Sequence, residues 1–581
     1  MSTKNILRKT LRAFRRKTNY IFPLLVIFAG FIGFAATDNE DDHLFEISKN
    51  MEIFGTVYQQ LNKLYVDEPQ PGRLMKTGID AMLNSLDPYT NFYPQEDIED
   101  YRYETTGEYG GIGTSVRMIG DQIVLAEPYE GFPAALAGLK AGDVLLEVDG
   151  KVCKGKTYEQ IGKLLKGLPN TSVKIKIQRP GENAPQEFTL TRQEIKQKNV
   201  TYSALLDNKV GYLRLNEFQA NAALEVRQAV MDLKQQGATS IVLDLRENPG
   251  GLLTEAVGIV NIFVDKKQLV VSMRGRVKDW DKEFYTEVDP VDTKIPLAVL
   301  VNAWSASASE IVAGSLQDLD RAVIVGQRSF GKGLVQQTLP LVYGSMFKVT
   351  VAKYYIPSGR CVQSIDYENR KADGTLVRVS DSLITSYKTK NGRIVWNGLG
   401  IIPDDELPAR KYSVLADTLL AKAIIFNYAT TFAKNNASID KPDKFRLTDA
   451  QYDDFVKWAK TQDYTYVIRE EQDLVNFKKH AEKNNSFADV TAEYDAMKKK
   501  IDKSKEDDFT EFKSEIKVLL EAEISSRYYY ASGRVAASLK DDPELLDATK
   551  ILLDQSKYNS ILTTIVKSSK PKQRADLENN D

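Results

Sequence analysis

Leu297-Ala-Val-Leu-Val-Asn-Ala-Trp-Ser-Ala-Ser-Ala-Ser-Glu-Ile-Val-Ala-Gly-Ser-Leu-Gln-Asp-Leu319 decides how the middle of the chain folds. It opens on an apolar run too short for a helix, as a strand covered on both faces requires, and from Ser307 its apolar residues fall at helical spacing. A strand over 297–302, a helix over 307–319 and a strand over 322–326 are expected. Working outward, the alternation continues with strand 210–215, helix 222–236, strand 240–245, helix 252–263 and strand 346–352. Continuously apolar strands separated by helices argue for a covered α/β sheet, with 265–294 as an excursion from it.

Three serines, Ser305, Ser307 and Ser309, crowd the start of that helix. Ser307-Ala-Ser-Glu310 matches a capping box, so one reading makes Ser307 a helix cap. The other places its hydroxyl at the positive end of the helix, where the Ala308 amide can help hold an oxyanion. Asp244-Leu-Arg-Glu-Asn-Pro-Gly-Gly-Leu-Leu253 offers a second donor: a buried strand ends, Gly250-Gly251 opens a helix, and free N–H groups such as that of Gly251 point off its end. The chain has two histidines, His43 and His480, both remote in sequence, so a serine hydrolase here needs another base. Ser329-Phe-Gly-Lys-Gly-Leu-Val-Gln336 supplies Lys332 between glycines and apolar neighbours, with Gln336 four residues on to hydrogen-bond the amine. A free lysine is neutral only about 0.04% of the time at pH 7, so burial has to lower its pKa by roughly 2–4 units, a cost of about 3–5 kcal/mol.

Apolar content of 42%, charge of 27% and a net charge of −2 over 581 residues describe an ordinary multidomain globular protein without the basic excess of a nucleic-acid binder. Cys153 and Cys361 leave one bridge or two buried thiols open, and so few histidines and cysteines give no basis for a metal centre; no cofactor is expected. Lys4, Arg8, Lys9, Arg12, Arg15, Arg16 and Lys17 precede an apolar run from Ile21 to Ala36. Residues 1–18 therefore read as a basic cytoplasmic end and 19–36 as a signal anchor or signal peptide. Membrane association through this segment and export of the remainder follow.

Residues 43–106 read as a helical module, with Ile47, Met51, Phe54, Val57 and Leu61 at helical spacing, a break at Pro69-Gln-Pro-Gly72 and a turn-rich packing connector from Leu86 to Pro94. Over 107–195 the text changes to short strands. Tyr109-Gly-Gly-Ile-Gly113 leads into a strand, Asp149-Gly150 signals a hairpin, and a helix over 157–168 precedes a strand over 172–178. This string, most specifically Gly138 to Gly150, resembles a PDZ domain. Such a unit binds a peptide's terminal carboxylate on backbone N–H groups beside an open strand edge. Gly111 and Gly113 let the backbone approach the ligand, and Ile112 would supply an apolar pocket for its last side chain. The core is expected over 196–409, with a polar excursion at 364–397, and 410–581 reads as a charged helical accessory region.

Together, the Ser-Ala-Ser-Ala-Ser-Glu, Phe-Gly-Lys-Gly and Asn-Pro-Gly-Gly-Leu strings behind a PDZ-like unit resemble the carboxyl-terminal processing peptidases, or tail-specific proteases, over about Leu44 to Asp404. The resemblance implies a crotonase-like α/β serine-protease core with an inserted PDZ domain. It implies Ser307 as nucleophile, Lys332 as base, Gln336 as the partner orienting the lysine, and the amides of Gly251 and Ala308 as oxyanion hole. It further implies unfolded or tailed proteins as substrates, held by their C-termini, and links Arg179 to communication between the PDZ unit and the active site. A homo-oligomer is compatible with it. The residues alone also admit a catalytically silent PDZ scaffold, or an acyl-CoA hydratase-like enzyme on a related core.

Overall fold

The computed structural model describes residues 40–371, 375–565 and 570–571, so the basic end and the apolar run expected as an anchor lie outside the described residues. The chain divides after Ser85 into two units. The first is a helical hairpin, α1 (Glu40–Leu64) and α2 (Pro71–Asn84), broken where the prolines predict. Pro71 sits in the first turn of α2, where a missing N–H costs nothing, and its carbonyl accepts from the Tyr58 hydroxyl at 2.8 Å. Among the described residues no helix is long and apolar enough to cross a membrane.

The second unit begins earlier than expected. Leu86–Pro94 is not the exit of the helical module: β1 (Asn91–Tyr93) within it is a sheet strand of the second unit. After α3 (Ile98–Thr106) and β2 (Glu108–Gly111) come β3 (Thr114–Ile119), β4 (Gln122–Pro128), β5 (Val144–Val148), β6 (Lys151–Val152), α4 (Tyr158–Leu165), β7 (Ser172–Gln178), β8 (Gln186–Thr191) and β9 (Gln193–Lys196). Strands β3-β4-β5-β7-β8 form one antiparallel sheet in that order, with β3 at its edge. Its hairpin turns at Asp149-Gly150, and α4 carries a capping box between Thr157 and Gln160. Pairing of β2 with β9 closes this PDZ-like unit at its root.

The core follows as β10 (Val200–Leu205), β11 (Val210–Leu215), α5 (Ala222–Gln235), β12 (Ser240–Asp244), α6 (Leu253–Phe263), β13 (Leu269–Gly275), β14 (Lys282–Tyr285), β15 (Leu297–Val301), α7 (Ala308–Asp318), β16 (Val323–Gly326), β17 (Leu334–Pro340) and β18 (Met346–Tyr355). Two short ribbons, β19 (Ile365–Arg370) with β20 (Leu376–Arg378) and β21 (Ser386–Lys388) with β22 (Ile394–Trp396), precede β23 (Asp405–Glu406). The main sheet runs β10-β11-β12-β15-β16-β23, parallel except for β10. Residues 265–294 are more than an excursion: β13 and β14 join β18, β1 and β17 in a second, antiparallel sheet.

Among the described residues eight further helices follow: α8 (Val414–Ala421), α9 (Ile424–Asn435), α10 (Asp449–Ala459), α11 (Arg469–Lys483), α12 (Thr491–Glu511), α13 (Lys513–Ser538), α14 (Pro543–Leu553) and α15 (Gln555–Thr563). Some of them pack on the core and on the PDZ-like unit. Alternate residues of a strand point to opposite faces, and the main sheet sends Leu213, Leu243, Val299 and Ile324 to one core with Val226, Ile259 and Val312 of α5–α7. Tyr212, Val242, Ala298 and Val323 join a different core with Leu545, Ile551, Leu552 and Leu562 of α14 and α15. The last two helices are thus the second covering layer of a sheet whose strands are apolar on both faces. Helix α9 also grips the PDZ-like unit: Phe426 packs on Val124, and the Arg117 guanidinium lies 4.8 Å from its ring centroid.

Candidate active site

Where β12 ends, Asn248 pins the turn: its Nδ2 donates to the Leu215 carbonyl (2.8 Å), its Oδ1 accepts the Gly250 N–H (2.9 Å) and its carbonyl accepts the Ala306 N–H (3.0 Å). Gly250 (φ 103°) and Gly251 (φ 145°) are required by geometry. A Cβ on Gly250 would lie 2.8 Å from both the Ser307 Cβ and the Ala308 nitrogen, and one on Gly251 would lie 2.5 Å from the Phe218 carbonyl oxygen. Gly250 therefore packs directly on the turn that carries Ser307, and Gly251 on the backbone of Phe218. Neither the Gly251 nor the Ala308 N–H has an acceptor among the described residues.

The three serines separate cleanly. Ser305 and Ser309 are fully buried, their hydroxyls donating to the carbonyls of Leu245 (2.8 Å) and Asn248 (2.9 Å). Ser307 remains partly exposed, with φ 56° and ψ −113°. The capping box forms, with Glu310 accepting the Ser307 N–H, but an ordinary N-cap adopts extended angles, so this turn also presents the side chain under strain.

Glu310, in the sequence only the far end of a capping box, joins the site through contacts no motif shows. Its fully buried carboxylate accepts four hydrogen bonds, from Ser307 N–H (2.9 Å), Ser329 hydroxyl (2.5 Å), Gly331 N–H (2.7 Å) and Lys332 N–H (2.8 Å). Burial pushes its pKa up to about 7, against these bonds, which pull it down. The only signal in the sequence was the motif itself; nothing there shows the loop it reaches. A second staple is Tyr354 of β18, whose hydroxyl lies 2.7 Å from the Lys332 carbonyl and 3.1 Å from that of Ser307.

Lys332 is largely buried, and burial lowers its pKa to about 8, with Lys348 acting in the same sense and Glu310 and Asp87 opposing. Its Nζ stands 3.8 Å from the centroid of the Tyr89 ring. Gln336 does not hydrogen-bond the amine; β17 pairs Gln336 with Thr350 of β18, and its Nε2 donates to the Thr350 hydroxyl at 3.1 Å. The two cysteines are free thiols.

In the PDZ-like unit, Gly111 is paired with Gln193, while the N–H groups of Ile112 and Gly113 have no acceptor among the described residues, beside the open edge of β3. Ile112 is not an open pocket wall: it is 1% exposed and belongs to the unit's core with Leu125 and Ile161. Arg179 is committed within the unit, to both carboxylate oxygens of Asp143 (2.8 Å each) and the Gly138 carbonyl (2.8 Å), rather than to the active site.

Residues 209–369 match the model of peptidase family S41, residues 124–179 that of a PDZ domain, and residues 415–552 that of the probable PDZ-protease C-terminal helical domain. A carboxy-terminal-processing protease of Bartonella bacilliformis is 37% identical over 55% of this chain and 73% of its own length. A probable CtpA-like serine protease of Staphylococcus aureus is 36% identical over 54% of this chain and 62% of its own. Among solved structures, the photosystem II D1 C-terminal processing protease is 29% identical, covering 61% of this chain and 92% of that one, with a TM-score of 0.32. The chain belongs to the PDZ-containing carboxy-terminal-processing serine proteases of peptidase family S41.

Proposed function

We propose that this protease cleaves peptide bonds with a Ser307–Lys332 dyad and takes unfolded or tailed proteins by their C-termini. One observation carries the reading: Ser307, alone of its three serines, is presented on a strained turn, and the carboxylate that holds that turn also holds Lys332. Ser307 Oγ attacks the carbonyl while Lys332 takes its proton. The N–H groups of Gly251 and Ala308 receive the oxyanion. The ammonium then protonates the leaving amine, and the neutral lysine activates the water that releases the acyl group. With a pKa of about 8, Lys332 is neutral about 9% of the time at pH 7, some two hundred times more often than a free lysine. Gln336 keeps the orienting role, since its Oε1 has no donor among the described residues and can accept from the ammonium. A silent scaffold would need Ser307 only as a cap, and the capping bond from its N–H to Glu310 does not call for the strained angles it adopts. The parallel strands with crossover helices support a crotonase-like reading of the core.

The free N–H groups of Ile112 and Gly113, reached through the backbone freedom of Gly111 and Gly113, form the carboxylate seat, and the substrate tail adds to β3. An amidated tail should lose most of its affinity. The N-terminal segment anchors the enzyme in the inner membrane with its catalytic part in the periplasm, and a homo-oligomer fits this placement; fractionation and protease accessibility of spheroplasts test it. The dyad is tested by cleavage of fluorescein-labelled casein: Ser307→Ala and Lys332→Ala should each lose essentially all activity, and wild-type rates in either contradict it.

A further inference from the structure

The segment Leu86–Tyr93 lies outside every motif that carries the family resemblance, yet it supplies the surface on which the lysine rests. Asp87 is buried and accepts the N–H groups of Tyr89 (2.8 Å) and Thr90 (2.9 Å) and the Thr90 hydroxyl (3.1 Å), closing a tight turn. The turn is tied to the strand beside Lys332, because the Thr350 N–H donates to the Thr90 hydroxyl (3.2 Å) and Asn91 pairs with Lys348. Tyr89 itself is fixed at its far end, where its hydroxyl lies 3.1 Å from that of Tyr367 and the two rings meet edge to face at 5.9 Å. Its near end presents the ring face to Lys332 Nζ at 3.8 Å.

We propose that Tyr89 is a positioning residue of the Ser307–Lys332 pair, its ring fixing where Nζ points and closing the amine off from bulk water. The inference rests on the dyad reading. Two effects of the ring oppose each other. Its volume desolvates the amine and favours the neutral base, while its negative face attracts the ammonium. The charged and titratable groups that act on Lys332 from the surrounding elements are Lys348 of β18, Glu310 of α7 and Asp87 of the same turn as Tyr89, whose own ring lies over the amine. Tyr89 is not itself the base, since burial and the Tyr367 hydroxyl push its phenol well above the ordinary range.

The opposition makes the role readable in the pH dependence of kcat/KM for fluorescein-labelled casein, measured on the full chain. Tyr89→Leu keeps an apolar cover without the quadrupole, and its rising limb should move to lower pH. Tyr89→Ala admits water, and its limb should move up by about one pH unit, which is about tenfold less activity at pH 7. Tyr89→Phe keeps the ring, loses the Tyr367 contact, and should lower kcat severalfold with the limb where wild type has it. Thermal melts of each variant at one pH report folding separately. If Ser307→Ala and Lys332→Ala are inactive while the limbs of the Leu and Ala variants coincide with wild type or move together, Tyr89 has no such role and the dyad stands. Activity in Lys332→Ala would instead remove the dyad on which the inference rests.

Discussion

Ser307 and Lys332 donate their main-chain N–H groups to the same oxygen, Oε2 of Glu310, at 2.9 Å and 2.8 Å. Two loops from different ends of the α7 neighbourhood are thereby set relative to one another by one buried carboxylate. The hydroxyl of Tyr354 repeats the link on their carbonyls. The proposed nucleophile and base thus share one hydrogen-bonded frame.

Glu310→Gln should break that frame with little change of volume. The amide offers one acceptor oxygen where the carboxylate offers two, so donors that now converge on Glu310 are left unpaired. Misplacement of reacting groups by about 1 Å costs about a hundredfold. A fall in kcat on the order of a hundredfold is expected in casein cleavage, with binding of an isolated tail peptide to the PDZ unit unchanged by calorimetry.

Lys332→Met should abolish activity and stabilise the fold. The lysine's folded pKa of about 8 lies below its ordinary 10.5, so the unfolded chain holds the proton more tightly. Wild-type stability therefore rises between about pH 8 and 10.5, and below pH 8 the buried ammonium costs about 3 kcal/mol. Melting curves of the methionine variant should lie above wild type at pH 7 and converge with it as pH approaches 10.5.

Gly251→Ala sets a Cβ 2.5 Å from the Phe218 carbonyl oxygen on a backbone with φ 145°. Strain of about 1–3 kcal/mol and displacement of the proposed oxyanion donor should follow, with kcat lowered about a hundredfold or more. Steady-state kinetics beside a denaturant melt separate the two effects.

Ile551→Ala removes a fully buried side chain from the layer that α14 lays on the main sheet. A loss of about 2–5 kcal/mol in chemical denaturation is expected, although Ile551 lies far along the chain from Ser307. A separable accessory region would instead melt in its own transition and leave the core's unchanged.

The parallel core was legible because its strands, such as β12 and β15, are buried at every residue and read as apolar runs. Ser307, Lys332 and the Gly250-Gly251 junction were legible because hydroxyl, amine and glycine pair sit in unusual local strings. What the sequence concealed was long-range. Tyr89 reaches Lys332 through the pairing of β1 with β18, and Glu310 spans two loops through a motif that also describes an ordinary cap. The helices α14 and α15 carry enough charge on their outer faces to read as solvated text, although Ile551 and Leu562 face the sheet. Gln336 was placed by sequence spacing, which does not fix which neighbour a strand side chain bonds.

Labelling by a serine-directed diphenyl phosphonate, followed by peptide mass mapping across pH 6 to 10, addresses the dyad most directly. A single adduct on Ser307 is expected, its rate of formation rising to an inflection near pH 8 and vanishing in Lys332→Ala, because burial lowers the Lys332 pKa to about 8. An adduct on another serine, or one on Ser307 formed as fast without the lysine, would contradict it.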